Sequence, residues 1–170
     1  YEQAFEMIGG AAALEQCAPI SRKVIEAITD LELEQGLSEL LPHDFKKRIG
    51  YSRRLVNQPY VRDLPSLYAL AGKAKTGFDR IINEIALATG GNAMIPPVKG
   101  ELRASMKANF KYRDKNGGIA WYRLSDIVRA TIAYPDILVM YDGLEAVAQR
   151  FGADVLECND RYQVGGCVHA

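Results

Sequence analysis

Apolar residues in the first part of the chain recur every three or four positions, and after Pro96-Pro97 the pattern changes. Residues from Glu2 to about Cys17 mix Ala, Leu and Glu, with Gly9-Gly10 as an interruption. Ser21 is placed to cap a helix running to about Gln35, with Ile25, Ile28, Leu31 and Leu33 as its stripe and Gly36 as its end. Pro42 and Asp44 open another short helix containing Phe45, Ile49 and Leu55. The best helix starts near Pro65. Its residues Leu67, Leu70, Ala71, Ala74, Phe78, Ile81, Ile82 and Ile85 fall on one face, and Gly90-Gly91 ends it.

Beyond the prolines, Met94 to Lys99 predicts a short strand entering a turn, and Glu101 to about Tyr112 a helix with Leu102, Met106 and Phe110 turned inward. Asn116-Gly117-Gly118 marks a loop. Ile127 to Tyr134, rich in β-branched and aromatic residues, suits a strand. Pro135-Asp136 then starts a helix with Ile137, Met140, Tyr141, Leu144, Val147, Ala148 and Phe151 at helical spacing. Gly152 stops it, and Asp154 to Cys158 returns as a strand, which would make a crossover unit. The expected class is α+β: a small mixed sheet with helices, preceded by a helical N-terminal region. The expected division is residues 1–92 as the helical region and 93–170 as the core, the latter incomplete at its C-terminal end.

Composition narrows the field. Lys plus Arg and Asp plus Glu balance at 21 each, so an anion site must come from local clustering rather than global charge. No apolar run approaches the roughly 18 residues of a membrane helix, so no membrane partner is expected. Cys17, Cys158 and Cys167 form no disulfide framework, which points to a reducing, cytoplasmic setting. The chain opens on Tyr1 and not on Met, as a fragment or a processed chain would, which leaves open an N-terminal targeting segment ahead of it. Cys158, Cys167 and His169 crowd together in sequence, but their spacing fits none of the familiar zinc patterns. There is no Walker phosphate loop, GxGxxG, HExxH or nucleophile elbow.

Two features carry candidate chemistry. Lys99, Arg103, Lys107 and Lys111 repeat every four residues, which gathers them on one side of a helix; Arg113 and Lys115 extend the cluster. That arrangement serves either as a solvated basic face or as a phosphate-binding one. Asp126, at the start of an otherwise apolar segment, would sit at a sheet edge. There it would hold Mg²⁺, cap a turn, or pair with Arg123 or Arg129. Trp121-Tyr122 would stack on a base or pack in the core. His43 has no evident partner, and Tyr51, Tyr60 and Tyr68 are expected at helix junctions.

Together these segments resemble RelA/SpoT-type nucleotidyltransferases, in particular small or toxin-like members. Val98 to Lys107 is similar to that family's first strand and helix, with a second Lys eight residues after the first. Arg123 to Ile132 is similar to its metal-site strand, Asp142 to Phe151 to the next helix, and Asp154 to Tyr162 to the strand after it. The resemblance implies a pyrophosphokinase of the (p)ppGpp-making kind. Pyrophosphate would move from ATP to the 3′-hydroxyl of a nucleotide or tRNA, with Lys99, Arg103 and Lys107 on phosphates and Asp126 on Mg²⁺. The adenine-sandwiching arginines of many members fall here at Pro97 and Thr131, with Arg129 as the nearest substitute. Cys167 follows Gly166 where the family has Gly-Tyr, and no segment bearing the family's catalytic Glu follows before Ala170. The alternative is therefore a nucleotide-binding or regulatory module of the same fold without turnover. A protein partner or self-association stays open.

Overall fold

A computed structural model of the chain describes residues 2–34, 61–113, 117–155, 158, 160 and 162–163. The short helix expected around Pro42, together with His43, Tyr51, Tyr60, Asn116 and the 164–170 stretch with Cys167 and His169, lies outside the described residues. The fold is α+β, mostly helical, with a helical N-terminal region and a small antiparallel sheet of two strands. The described elements are α1 (Glu2–Met7), α2 (Gly10–Glu34), α3 (Leu64–Ala88), β1 (Asn92–Met94), α4 (Glu101–Lys111), β2 (Thr131–Ala133) and α5 (Ile137–Phe151). Two single-turn 3₁₀ segments, Trp121–Arg123 and Gly152–Asp154, complete them. Among the described residues no helix is long and apolar enough to cross a membrane.

Local chemistry sets several helix ends. Asp63 accepts a hydrogen bond from the Ser66 amide at 2.7 Å, and Pro65 sits in the first turn of α3, where its missing N–H costs nothing. Asp136 caps α5 by accepting from the Val139 amide at 2.9 Å. Gly152, at φ 50°, ends α5 in a conformation that side chains disfavour. Ser21, by contrast, caps nothing. The Ala-rich run carries α2 continuously from Gly10 with Pro19 inside it, and Ser21 is buried in mid-helix.

Three further expectations are corrected. The strand predicted from Ile127 begins only at Thr131, so Asp126 lies in an irregular segment rather than on a sheet edge. The backbone carbonyl of Ile127 accepts from the Lys99 amide at 2.9 Å, a single bond and not a ladder. The strand expected from Asp154 does not start there: Gly152–Asp154 winds as a 3₁₀ turn, Val155 and Cys158 belong to no strand, and residues 156–157 lie outside the described residues. Finally, α4 faces the other way. Ala104 and Ala108 are fully buried, while Leu102, Met106 and Phe110 are 76%, 64% and 89% exposed. Small side chains let the helix backbone approach the core closely, and the larger apolar face is left outside.

The chain divides into two compact units. The first comprises residues 1–35, 82–94 and 132–170, the second residues 36–81 and 95–131. In the first, Ala13 and Cys17 of α2 pack against Ile137 and Tyr141 of α5, joined by Phe5, Leu14, Ile20, Met140 and Leu144. Tyr134 lies against α5 at Gly143, where any Cβ would come within 2.0 Å of its hydroxyl. In the second, Leu67 and Ala71 of α3 and the two alanines of α4 enclose Ala120, Tyr122, Leu124 and Ile127. Tyr122 is thus a core residue, and Trp121 packs partly buried beside it.

Candidate functional site

Three of the charged residues singled out in the second unit, Lys99, Lys107 and Asp126, meet at one point. Lys99 precedes α4 with its backbone held from two sides. Its amide donates to Ile127, and its carbonyl accepts from the Tyr68 hydroxyl of α3. Lys107 projects from α4 between the buried Ala104 and Ala108, so its origin is fixed by core packing. Asp126 lies between the buried Leu124 and Ile127. These three anchors bring Nζ of Lys99 to 2.7 Å and Nζ of Lys107 to 2.8 Å from the same oxygen, Oδ2 of Asp126.

The environment is half-dry. The Lys99 side chain is only 10% exposed, that of Lys107 27% and that of Asp126 35%. Burial works against the charged carboxylate. The hydrogen bonds and charges of Lys107 and Lys99 outweigh it, so Asp126 titrates below the ordinary carboxylate range. Burial, with Glu101 and Asp126 adding to it, pushes the Tyr68 hydroxyl above the usual phenol range. Two cations on one carboxylate leave the cluster with a net positive charge. Its other oxygen, Oδ1, is buried and accepts no hydrogen bond.

Comparison with models of known protein families, with curated proteins and with solved structures finds no match to this chain.

What the cluster can do therefore rests on its own geometry. Of the residues named from sequence, Lys99, Lys107 and Asp126 come together. Arg103 and Arg129 are exposed, and no hydrogen bond or ion pair joins either to the cluster. Asp126 pairs with the two lysines, not with Arg123 or Arg129. Sequence reasoning missed Tyr112, whose ring centre lies 6.0 Å from Lys107 Nζ and 5.0 Å from the Arg123 guanidinium carbon. It also missed the bond from Tyr68 to Lys99, for which no sequence signal exists. Among the described residues, no three His, Cys, Asp or Glu side chains gather as a metal cluster. Mg²⁺ requires few protein ligands when phosphates and water supply the rest, and a carboxylate such as Asp126 is of the right chemistry for it. A lysine pair loosely neutralised by one carboxylate is equally suited to exchanging that carboxylate for a phosphate.

Proposed function

We propose that the Lys99–Lys107–Asp126 cluster is a nucleotide phosphate site, and that the chain is the nucleotide-binding part of a RelA/SpoT-like pyrophosphotransferase working in the cytoplasm. One observation carries the reading: two lysines eight residues apart converge within 2.8 Å on the carboxylate that the resemblance marks for the metal. ATP phosphates would draw Lys99 and Lys107 away from Asp126 Oδ2, replacing one anionic partner by a more highly charged one. Asp126, its Oδ2 released by the lysines, would hold Mg²⁺, which supplies neutralisation of phosphate charge when bound. The acceptor 3′-hydroxyl would attack the β-phosphate and release its proton; the new O–P bond would form as the α–β bridge breaks and AMP departs. Lys99 and Lys107 contribute by positioning the chain of phosphates and stabilising its charge.

The test is direct. ATP binding by the full chain is measured by calorimetry, and transfer of label from β-labelled ATP is followed with GDP, AMP or tRNA as acceptor. Lys99→Gln and Lys107→Gln are each expected to weaken ATP binding about tenfold, the scale of a charge-assisted contact. Unchanged binding in both variants would sink the site.

A second reading has an observation of its own. Among the described residues Asp126 is the only carboxylate bonded to the lysines, and the sheet has just two three-residue strands. A module that binds nucleotide without turnover needs nothing more. It predicts the same loss of ATP binding in the lysine variants, with no labelled product from any acceptor.

A further inference from the structure

Arg123 shares the Tyr112 ring with Lys107 of the lysine cluster. It closes the 3₁₀ turn Trp121–Arg123, its amide bonded to the Ala120 carbonyl at 3.0 Å, with the core residues Tyr122 and Leu124 on either side. Its backbone is therefore fixed. Its guanidinium carbon lies 5.0 Å from the centre of the Tyr112 ring, the same ring that Lys107 approaches at 6.0 Å. Its Nε is buried and donates no hydrogen bond. A buried unmet donor on a charged group is costly, and more so than one on a neutral group. A guanidinium resting on an aromatic face keeps its N–H edge available for an oxyanion lying in its plane.

The charges indicate which oxyanion. Lys99 and Lys107 already share Asp126, so an anion arriving there must displace a carboxylate. Arg123 does not bond to that carboxylate and forms no ion pair among the described residues, so an anion meets it without breaking one there. Two tethered anions therefore have an advantage that a single one lacks. The first settles on Arg123, and the second then competes for the lysines at high effective concentration.

We propose that Arg123, seated on Tyr112, is a phosphate-binding residue that extends the lysine cluster into a site for two adjacent phosphates, selecting polyphosphate over monophosphate. This inference rests on the phosphate-site reading above and adds to it the residue that sets phosphate number. Lys107 links the two halves, since it bonds Asp126 and lies 6.0 Å from the centre of the Tyr112 ring. Tyr112 acts as a positioning residue for the guanidinium.

The experiment is a calorimetric titration of the full chain with inorganic phosphate, pyrophosphate and ATP, in chelator so that no divalent cation bridges ligand and protein. Wild type is expected to bind pyrophosphate at least about tenfold more tightly than phosphate. Arg123→Gln removes that preference while leaving the weak, lysine-dependent binding of phosphate. Arg123→Lys, which keeps the charge and the packing of the stem, loses most of it. Tyr112→Phe preserves it, because the ring and not the hydroxyl carries the guanidinium. An unchanged pyrophosphate-to-phosphate ratio in folded Arg123→Gln or Arg123→Lys protein overturns the role of Arg123 alone. Wild type that binds none of the three ligands overturns both this inference and the phosphate-site reading.

Discussion

Two carboxylates, one in each unit, show what separates a structural charge from one free to work. Asp160 in the first unit is buried and fully engaged. Oδ2 accepts from the Ser21 hydroxyl at 2.7 Å and the Tyr141 hydroxyl at 2.6 Å, and Oδ1 from the amides of Tyr162 and Gln163 at 3.0 and 3.3 Å. Asp126 in the second unit takes two lysines on one oxygen and nothing on the other. In both, burial opposes ionisation and hydrogen bonds overcome it, so both titrate below the usual range. The direction of the shift therefore does not tell them apart. The donors do: Asp160 is held by neutral groups fixed on the backbone or in the core, Asp126 by long cationic chains that can change partner.

The comparison is broken most forcefully at Asp160. Asp160→Ala strips an acceptor from two hydroxyls and two amides at once and is expected to cost about 3 kcal/mol in urea unfolding. A loss below about 1 kcal/mol would mean the network is not structural. Gly143→Ala in the same unit forces a Cβ to within 2.0 Å of the Tyr134 hydroxyl. An overpacking cost of about 2 kcal/mol is expected, largely absent when Tyr134→Leu is introduced first. A double-mutant cycle reads that coupling.

Asp126→Asn sharpens the contrast with a smaller effect on stability and an opposite effect on ligand. Losing the shared counter-ion leaves two lysines facing each other, and about 1 kcal/mol of destabilisation is expected. With the carboxylate no longer competing, ATP binding in chelator should tighten, while Mg²⁺-dependent label transfer should disappear. Weaker ATP binding in chelator would contradict the exchange of carboxylate for phosphate.

Acid gives the smallest difference. Each folded carboxyl releases its proton more readily than the unfolded one, so the unfolded chain binds more protons and stability rises with pH. The contribution is fully present above the unfolded value of about 3.9 and is lost as pH falls through the folded values. Asp160→Asn and Asp126→Asn should therefore each flatten the acid limb of the stability curve below about pH 4. A limb as steep as wild type in either variant removes that residue from the account.

Which parts were legible in the sequence follows from how local their causes are. α3 and α5 were readable because Asp63, Pro65, Asp136 and Gly152 act within a few residues of themselves. The inner face of α4 was misread because periodicity weighs the size of apolar residues. The core of the second unit instead selected Ala104 and Ala108, which allow close approach. Ile127 and Val128 suggested a strand by composition, yet they bury beside a 3₁₀ turn with no ladder to join. Ser21 looked like a cap because its true partner, Asp160, lies 139 residues away. Lys99, Lys107 and Asp126 were individually visible as candidates. Their meeting was expected only through the family resemblance and not from spacing, since it depends on the Tyr68 bond and the two alanines of α4.

Setting α4 down on alanines has a consequence for the protein as a colloid. Leu102, Met106 and Phe110 form a row along the solvent side of α4, neighbours about 6 Å apart. Water wets this row poorly, and salts excluded from protein surfaces raise the cost of doing so. The purified chain should bind a phenyl column in moderate ammonium sulfate, and scattering should report net attraction between molecules as that salt is raised. Phe110→Ser should elute earlier, with its melting temperature unmoved.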